Sequence, residues 1–399
     1  PFFFTPWVGD VGHQLVLGPI GAGKSTLLGV EAVQFLRYPG AQVFWFDKGY
    51  SSYPLCLAVG GQHYDIGEPG SALAPLGGPR TVEEREWQLG WVEECLLLQG
   101  APLTPETRQE LWQALTRLAH MDYHESMTKL RGTVQDLTLR AALNHYCQGG
   151  GAGGLLDSET DRLLLSHFMV FEMEGLLNRG DKDLVPVLLY LFHRLESRFD
   201  GRPTLLLIDE AWLMMLRARF GEKVEEWLRM LRKKNVAVVF TSQSLADVER
   251  CAQRNIIVES CQTKIFLPNA EAETAQSKQL YLDMGLNEKE VQVLRYATPK
   301  KHYLYHSPLG RRVFDLELQR AALSFVGATG KEDLARVREF VRTYGNEWPA
   351  LWLRQRGCGQ EATWWETHRK EKPYVSLFDR VGLQPAAVRG LRGLGAVGR

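Results

Sequence analysis

The sequence predicts an α/β fold with a mostly parallel sheet, an all-helical insertion and a helical C-terminal extension. Three observations predict it. Short apolar runs alternate with helical stretches over residues 1–79 and again over 166–320. Between them, over 80–165, the apolar period is helical with little strand character. Beyond about residue 320 only helical periodicity remains.

The elements follow in order. Leu15–Leu17 is a short buried strand, and Leu27, Leu28, Val30, Val33 and Leu36 mark one face of a helix that Tyr38-Pro39-Gly40 stops. Residues 42–47 (Gln-Val-Phe-Trp-Phe-Asp) form a second buried strand, and 60–80 is a Gly/Pro-rich loop. Thr81 to Glu84 opens a helix as a capping box, a second helix starts at Thr104-Pro105, and a third covers 134–143. Trp87 and Trp91, one helical turn apart, belong to the core of this insertion. After the Gly-rich exit at 148–154 come a strand at 168–172, a helix at 184–199, a strand at 204–209 and a helix at 223–234. Strands at 236–241 and 264–267 follow, then a hairpin of 302–306 with 312–316 around Ser307-Pro308-Leu309-Gly310. Helices at 331–344 and 348–355 make the extension, and the Gly/Arg-rich end from Leu383 is expected to be poorly ordered. No internal repeat is present.

Length and composition set limits. The 399 residues, 45% of them hydrophobic, suffice for a large core and two to three domains. Equal numbers of acidic and basic residues, 47 of each, leave no global field toward nucleic acid or anionic lipid, although a local basic patch stays open. Six cysteines without a C-x-x-C pair fit reduced thiols better than disulfides or zinc. The densest apolar run, Leu184 to Phe192, is far shorter than a membrane span, and no signal peptide is apparent. The start at Pro1, amid Phe2, Phe3, Phe4 and Trp7, suggests a piece of a longer protein.

Chemistry is concentrated at three strand ends. Gly18-Pro19-Ile20-Gly21-Ala22-Gly23-Lys24-Ser25-Thr26 fits G-x-x-x-x-G-K-[ST], a phosphate-binding P-loop, and lies between a strand and a helix as that motif requires. Backbone N–H groups of Gly18, Gly21, Ala22 and Gly23 and the helix dipole favour an anion. Lys24 would reach the β/γ-phosphates, Ser25 would ligate Mg²⁺, and Thr26 would meet the α-phosphate of ATP. Leu205 to Ile208 is an apolar strand delivering Asp209, a Mg²⁺ candidate, and Glu210, a candidate general base; it is expected beside the P-loop strand. The strand at 236–241 ends in Thr241-Ser242-Gln243-Ser244, where Gln243 either senses the γ-phosphate and lytic water or caps the next helix.

Other residues carry two readings each. Asp47, with Lys48, is either the rim of the nucleotide site or a local cap. Arg232, in Leu231-Arg232-Lys233-Lys234-Asn235, is either a solvated helix end or an arginine finger acting in trans, with Arg311 and Arg312 as rivals. Glu172 and Glu174 either line the sheet edge or sit at the surface. His120 and His124 share a helical spacing but lack a third metal ligand.

Several motifs in this order resemble one family. They are Gly9-Asp10-Val11-Gly12-His13, the P-loop, Phe46-Asp47-Lys48-Gly49-Tyr50-Ser51, Phe171-Glu172-Met173-Glu174, Leu191-Phe192-His193-Arg194, Ile208-Asp209-Glu210-Ala211-Trp212, Leu231 to Asn235 and Thr241 to Ser244. Over about residues 1–355 the chain resembles the C-terminal ATPase domain of conjugative type IV secretion ATPases, the TrbE-like conjugal-transfer proteins. The resemblance implies a RecA-like P-loop NTPase domain, an N-terminal domain outside this sequence, and nucleotide roles for Gly18 to Thr26, Asp209, Glu210, Gln243 and Arg232. The function expected on this basis is Mg²⁺-dependent ATP hydrolysis powering pilus assembly and substrate transfer. The motor would be a homo-hexamer, cytoplasmic and peripheral at the bacterial inner membrane through partner proteins, among them a second ATPase. A RecA-like DNA translocase or coupling protein is the alternative; neutral charge and the lack of a nucleic-acid module count against it.

Overall fold

The computed structural model describes residues 5–368 except 69, 122–124, 162, 165 and 216–217. Phe2 to Phe4, His124 and the Gly/Arg-rich end therefore lie outside the described residues. The described chain forms two compact units. One comprises residues 5–63, 166–171 and 199–368, the other residues 64–165 and 172–198.

The first unit is built on the sheet. Its strands are β1 (Gln14–Leu17), β2 (Gln42–Asp47), β3 (Gln62–Asp65), β4 (Phe168–Glu172), β5 (Thr204–Ile208), β6 (Val236–Ser242), β7 (Thr263–Phe266), β8 (His302–Ser307) and β9 (Gly310–Asp315). Their order is β3-β4-β2-β5-β6-β1-β7-β8-β9. The pairs β2–β5, β5–β6, β6–β1 and β1–β7 are parallel; β8 and β9 add an antiparallel edge. Parallel strands are covered on both faces and so need unbroken apolar runs. Accordingly β1, β2, β5 and β6 are buried at every position. The few polar groups inside are paired, as where Gln42 Nε2 donates to Thr204 Oγ1 at 2.8 Å.

The helix Lys24–Phe35 covers this sheet, and the C-terminal helices pack on it. These are Arg320–Val326, Lys331–Tyr344, Trp348–Gln355 and Gly359–His368. Val326 lies so close to Gly29 that a Cβ there would meet it at 2.8 Å. Phe325 stands edge-on to Trp348 at 5.9 Å and lies 5.4 Å from Trp365, while Trp352 donates its indole N–H to Ser324 O at 2.7 Å. The extension is therefore part of the core, not an appendage.

The second unit is helical. Val82–Leu98, Pro105–Ala119, Met127–Thr133, Leu137–Leu143 and Asp181–Glu196 are its principal helices. It departs from the sequence pattern in several places. Residues 134–143 are not one helix: Asp136 caps a new one by accepting from Thr138 N and Leu139 N, which ends the preceding one. Thr81 accepts from Glu84 N, but the Glu84 carboxylate faces His193 Nε2 at 3.0 Å instead of returning to the cap. The helix Asp181–Glu196 belongs with the insertion and not with the α/β core, because its apolar face meets Val82–Leu98. Trp91 Nε1 donates to Pro186 O at 2.9 Å, and His193 stacks on Trp87 at 3.7 Å. The 60–80 stretch contains β3 as well as loop. Between β6 and β8 the chain forms helices that periodicity did not mark, among them Leu245–Arg250 and Glu288–Tyr296.

Trp352 is fully buried in the core of the first unit. Trp352→Ala should lower its stability by about 3–5 kcal/mol, read as a fall in denaturant midpoint.

Candidate active site

The P-loop connects β1 to the helix Lys24–Phe35. Its glycines are steric requirements. Gly23 sits at φ 110°, and a Cβ there would stand 2.5 Å from Tyr303 Oη. A Cβ on Gly18 would stand 2.4 Å from Leu267 Cβ. The turn is closed by Ala22 N donating to Pro19 O at 3.2 Å, and Gly18 N donates to Ser242 O at 3.2 Å. Ser25 and Thr26 open the helix, half-buried, with Lys24 at its first position. Lys24 is only 7% exposed, and its ammonium donates to Gly18 O at 2.7 Å. Burial pushes its pKa down, and the charges of Asp209 and Glu210 oppose that.

The acidic strand does not adjoin the P-loop strand as expected. β6 lies between β1 and β5, so the strand carrying Gln243 separates them. This brings three strand ends together at one edge. Asp209 N donates to Phe46 O at 2.8 Å, and Asp209 Oδ1 accepts from Glu210 N at 3.1 Å and from the Thr241 hydroxyl of β6. Burial, then the neighbouring charge of Asp47, pushes the Asp209 carboxyl up to about 7. Glu210 holds a left-handed backbone at φ 52°, which for a residue with a Cβ costs about 1–2 kcal/mol. The strain turns its carboxyl into the site. Glu210 Oε1 is buried without a hydrogen-bond partner. The Gln243 side chain and backbone bond the Glu210 carboxylate and partly offset the burial that raises its pKa. Gln243 is thus free of helix capping, which Ser244 performs by accepting from Asp247 N at 3.1 Å.

The structure separates other candidates from this cluster. Asp47 is fully buried at the end of β2. Its carboxylate accepts from Lys48 N, Ser51 Oγ, Ser52 N and Ser52 Oγ at 2.6–2.9 Å. Those bonds tie down its own turn and leave the role of a local cap whose charge still acts on Asp209. Lys48 stays near enough for its charge to act on Glu210. Arg232 precedes β6, at the opposite end of the sheet from the P-loop. The seven residues of β6 put it about 20 Å from the strand ends that hold Gln243. There it pairs with Asp10 at 3.4 Å and stays 54% exposed, so it cannot serve its own P-loop. Arg311 pairs with Glu290 at 3.1 Å.

In the second unit, Glu172 is buried and accepts from Glu174 N at 2.9 Å, capping the turn Glu174–Leu177. His120 ends the helix Pro105–Ala119 as an exposed residue. Among the described residues no group of three or more His, Cys, Asp or Glu is placed to hold a metal.

Sequence reasoning missed Thr241 as the residue that holds Asp209, and Tyr303, whose hydroxyl donates to Gly23 O at 3.2 Å from 280 residues away. Neither lies in a motif that names its partner.

The raised Asp209 pKa makes stability depend on pH. A carboxyl whose folded pKa exceeds its unfolded value stabilises the fold below the unfolded pKa, and this is lost as pH rises through the folded one. Asp209 goes from 3.8 to about 7, so the loss falls between about pH 4 and 7. Asp209→Asn should therefore make the nucleotide-free protein more stable at pH 8, by on the order of 3 kcal/mol, with the gap closing toward pH 4 in a series of denaturation curves.

Comparison with known proteins fits this geometry. The TraG P-loop domain profile matches residues 113–346, which include Asp209, Glu210 and Gln243 but begin after the glycine loop. The chain is 45% identical over 369 residues to a probable conjugal transfer protein TrbE of Sinorhizobium fredii, covering 91% of this chain and 56% of that protein. It is 44% identical to the conjugal transfer protein TrbE of Rhizobium radiobacter, over 91% of this chain and 45% of that protein. The chain thus spans about half the length of these relatives. Among solved structures, VirB4 of Thermoanaerobacter pseudethanolicus superposes with a TM-score of 0.63 at 18% identity, over 79% of this chain and 93% of that one. The plasmid coupling protein TrwB in complex with ADPNP gives 0.51 at 15% identity, over 75% of this chain and 83% of that one. These structures share the RecA-like α/β fold of P-loop NTPases with the first unit. The resemblance carried by the motif order and this pattern of identity agree: the chain belongs to the TraG P-loop domain family, among the TrbE-like and VirB4 proteins.

Proposed function

We propose that this chain hydrolyses ATP to power conjugative type IV secretion, driving pilus assembly and substrate transfer. One observation carries the catalytic half of the reading: Lys24, Asp209, Glu210 and Gln243 come from separate strand ends, 185 positions apart at the extremes of the acidic and glycine motifs, yet share one buried edge. The TrbE relatives carry the biological half.

The donor set fits a nucleotide with Mg²⁺. Ser25 and Asp209 offer oxygen ligands only, as Mg²⁺ prefers, and few of them, as is usual where phosphates and waters supply the rest. Mg²⁺ would neutralise charge on the phosphates and relieve the burial of Asp209. Lys24 would exchange Gly18 O for a phosphate oxygen. Glu210 would take the proton of the attacking water on Oε1, the atom that lacks a partner. As that water bonds to the γ-phosphorus, the bond to the ADP oxygen breaks. Gln243, against Glu210, would orient base and water and pass the change along β6.

The exposed position of Arg232 at the far end of the sheet supports a trans role in a homo-hexamer, with each site completed by a neighbour. Attachment at the inner membrane would come through other secretion components, one of them a partner ATPase. Among the described residues no helix is long and apolar enough to cross a membrane.

Glu210→Gln should bind ATP normally and lose about 10²-fold or more in kcat, measured by phosphate release alongside nucleotide binding. Wild-type turnover in that variant would remove Glu210 from the role. ATPase rate should rise cooperatively with protein concentration; Arg232→Ala should abolish the rise, and if Arg311→Ala does so instead, the finger is Arg311. Strong stimulation by DNA that falls steeply with salt would favour a DNA translocase or coupling protein over this reading.

A further inference from the structure

The P-loop is held from outside as well as by its own turn. Lys300 N donates to Ala22 O at 2.8 Å, and Tyr303 Oη donates to Gly23 O at 3.2 Å. Both donors come from one short segment that leads into β8, on the far side of β7 from β1. Lys300 adopts a left-handed backbone at φ 63° to make this approach, and its Cα lies 3.2 Å from the position a Gly23 Cβ would take. The Tyr303 ring is 1% exposed and stacks on Phe314 of β9 at 5.4 Å. Antiparallel pairing fixes that arrangement, with Tyr303 opposite Phe314 and Leu304 opposite both Phe266 and Val313.

In a trans peptide the C=O and N–H point in opposite directions. The peptide of Ala22 O carries the N–H of Gly23, and the peptide of Gly23 O carries the N–H of Lys24. Two donors that hold these successive carbonyls outward therefore aim two successive N–H groups inward, where an anion is bound. Gly23 O also accepts from Leu27 N at 3.2 Å, the first bond of the helix, so the tyrosine adds a second restraint to a carbonyl already fixed along the helix axis.

We propose that Tyr303, with the backbone N–H of Lys300, is a positioning element of the nucleotide site: it preorganises the N–H groups of Gly23 and Lys24 toward the phosphates and ties the P-loop to the β8–β9 hairpin. This rests on the nucleotide reading given above. Such an element acts equally on bound substrate and transition state, so it changes affinity and KM and leaves kcat alone.

Tyr303→Phe tests this, because it keeps the ring on Phe314 and removes only the donor. A fluorescent ATP analogue with Mg²⁺ and steady-state ATPase assays serve as readouts. The expected result is a rise of about three- to tenfold in the Kd of the analogue and in KM, with kcat within about twofold of wild type. Lys300→Gly keeps the N–H donor and suits the left-handed backbone, so its Kd should stay within about twofold of wild type. A Tyr303→Phe protein with a lower thermal midpoint but unchanged Kd and KM would mean a purely structural tyrosine and would overturn the proposal. A tenfold loss of affinity in Lys300→Gly would overturn the assignment to the backbone donor and shift it to the ammonium. If wild type fails to bind the analogue, the nucleotide reading itself falls; if wild type binds and Tyr303→Phe binds equally well, only this inference does.

Discussion

Three carboxylates and one ammonium are withdrawn from water at the same edge of the sheet. Asp47, Asp209, Glu210 and Lys24 are all 7% exposed or less. Desolvating that much charge is costly unless each group is paired or hydrogen-bonded. The surrounding chain supplies those partners in turn: a serine-rich turn for Asp47, Thr241 for Asp209, Gln243 for Glu210 and a P-loop carbonyl for Lys24. One acceptor, Glu210 Oε1, is left out. A buried oxygen without a partner is a cost the fold tolerates where chemistry uses it. The negative excess around Lys24 also makes the edge receptive to a cation arriving with an anion, which is the form of a magnesium nucleotide.

The sheet order distributes this load. Because β6 lies between the strand of the P-loop and the strand of the acids, it touches both motifs. Its Thr241 holds Asp209, its Ser242 carbonyl accepts the N–H of Gly18, and its Gln243 meets Glu210. A change at the phosphate is felt first by β6, whose other end carries Arg232. A strand buried at every position is stiff enough to join those two ends.

The nucleotide edge is braced from the opposite side as well. The C-terminal helices pack against the P-loop helix through Val326 and Gly29, and the β8–β9 hairpin reaches the loop through Tyr303. The all-helical unit is held by contacts of its own, including Trp91 on Pro186, Trp87 on His193 and Glu84 on His193. Its stability does not draw on the charges that shape the catalytic edge.

The sequence alone determined whatever depends on neighbours along the chain. The P-loop spacing, the apolar strands ending in Asp209 and Gln243, and the caps at Thr81 and Thr104 are local patterns, and their chemistry is set within a few residues. The turn that occupies Asp47 was also within reach, since Ser51 and Ser52 follow it directly. Tertiary structure decided the rest. Apolar periodicity reports that a face is buried but not against what, so it could not order β6 between β1 and β5 or assign the helix Asp181–Glu196 to the insertion. Nor could it tell Tyr303 from any other strand tyrosine, because the carbonyl it holds lies 280 residues away. Only closure of the sheet brings those groups within hydrogen-bonding distance, and the catalytic edge exists by virtue of that closure.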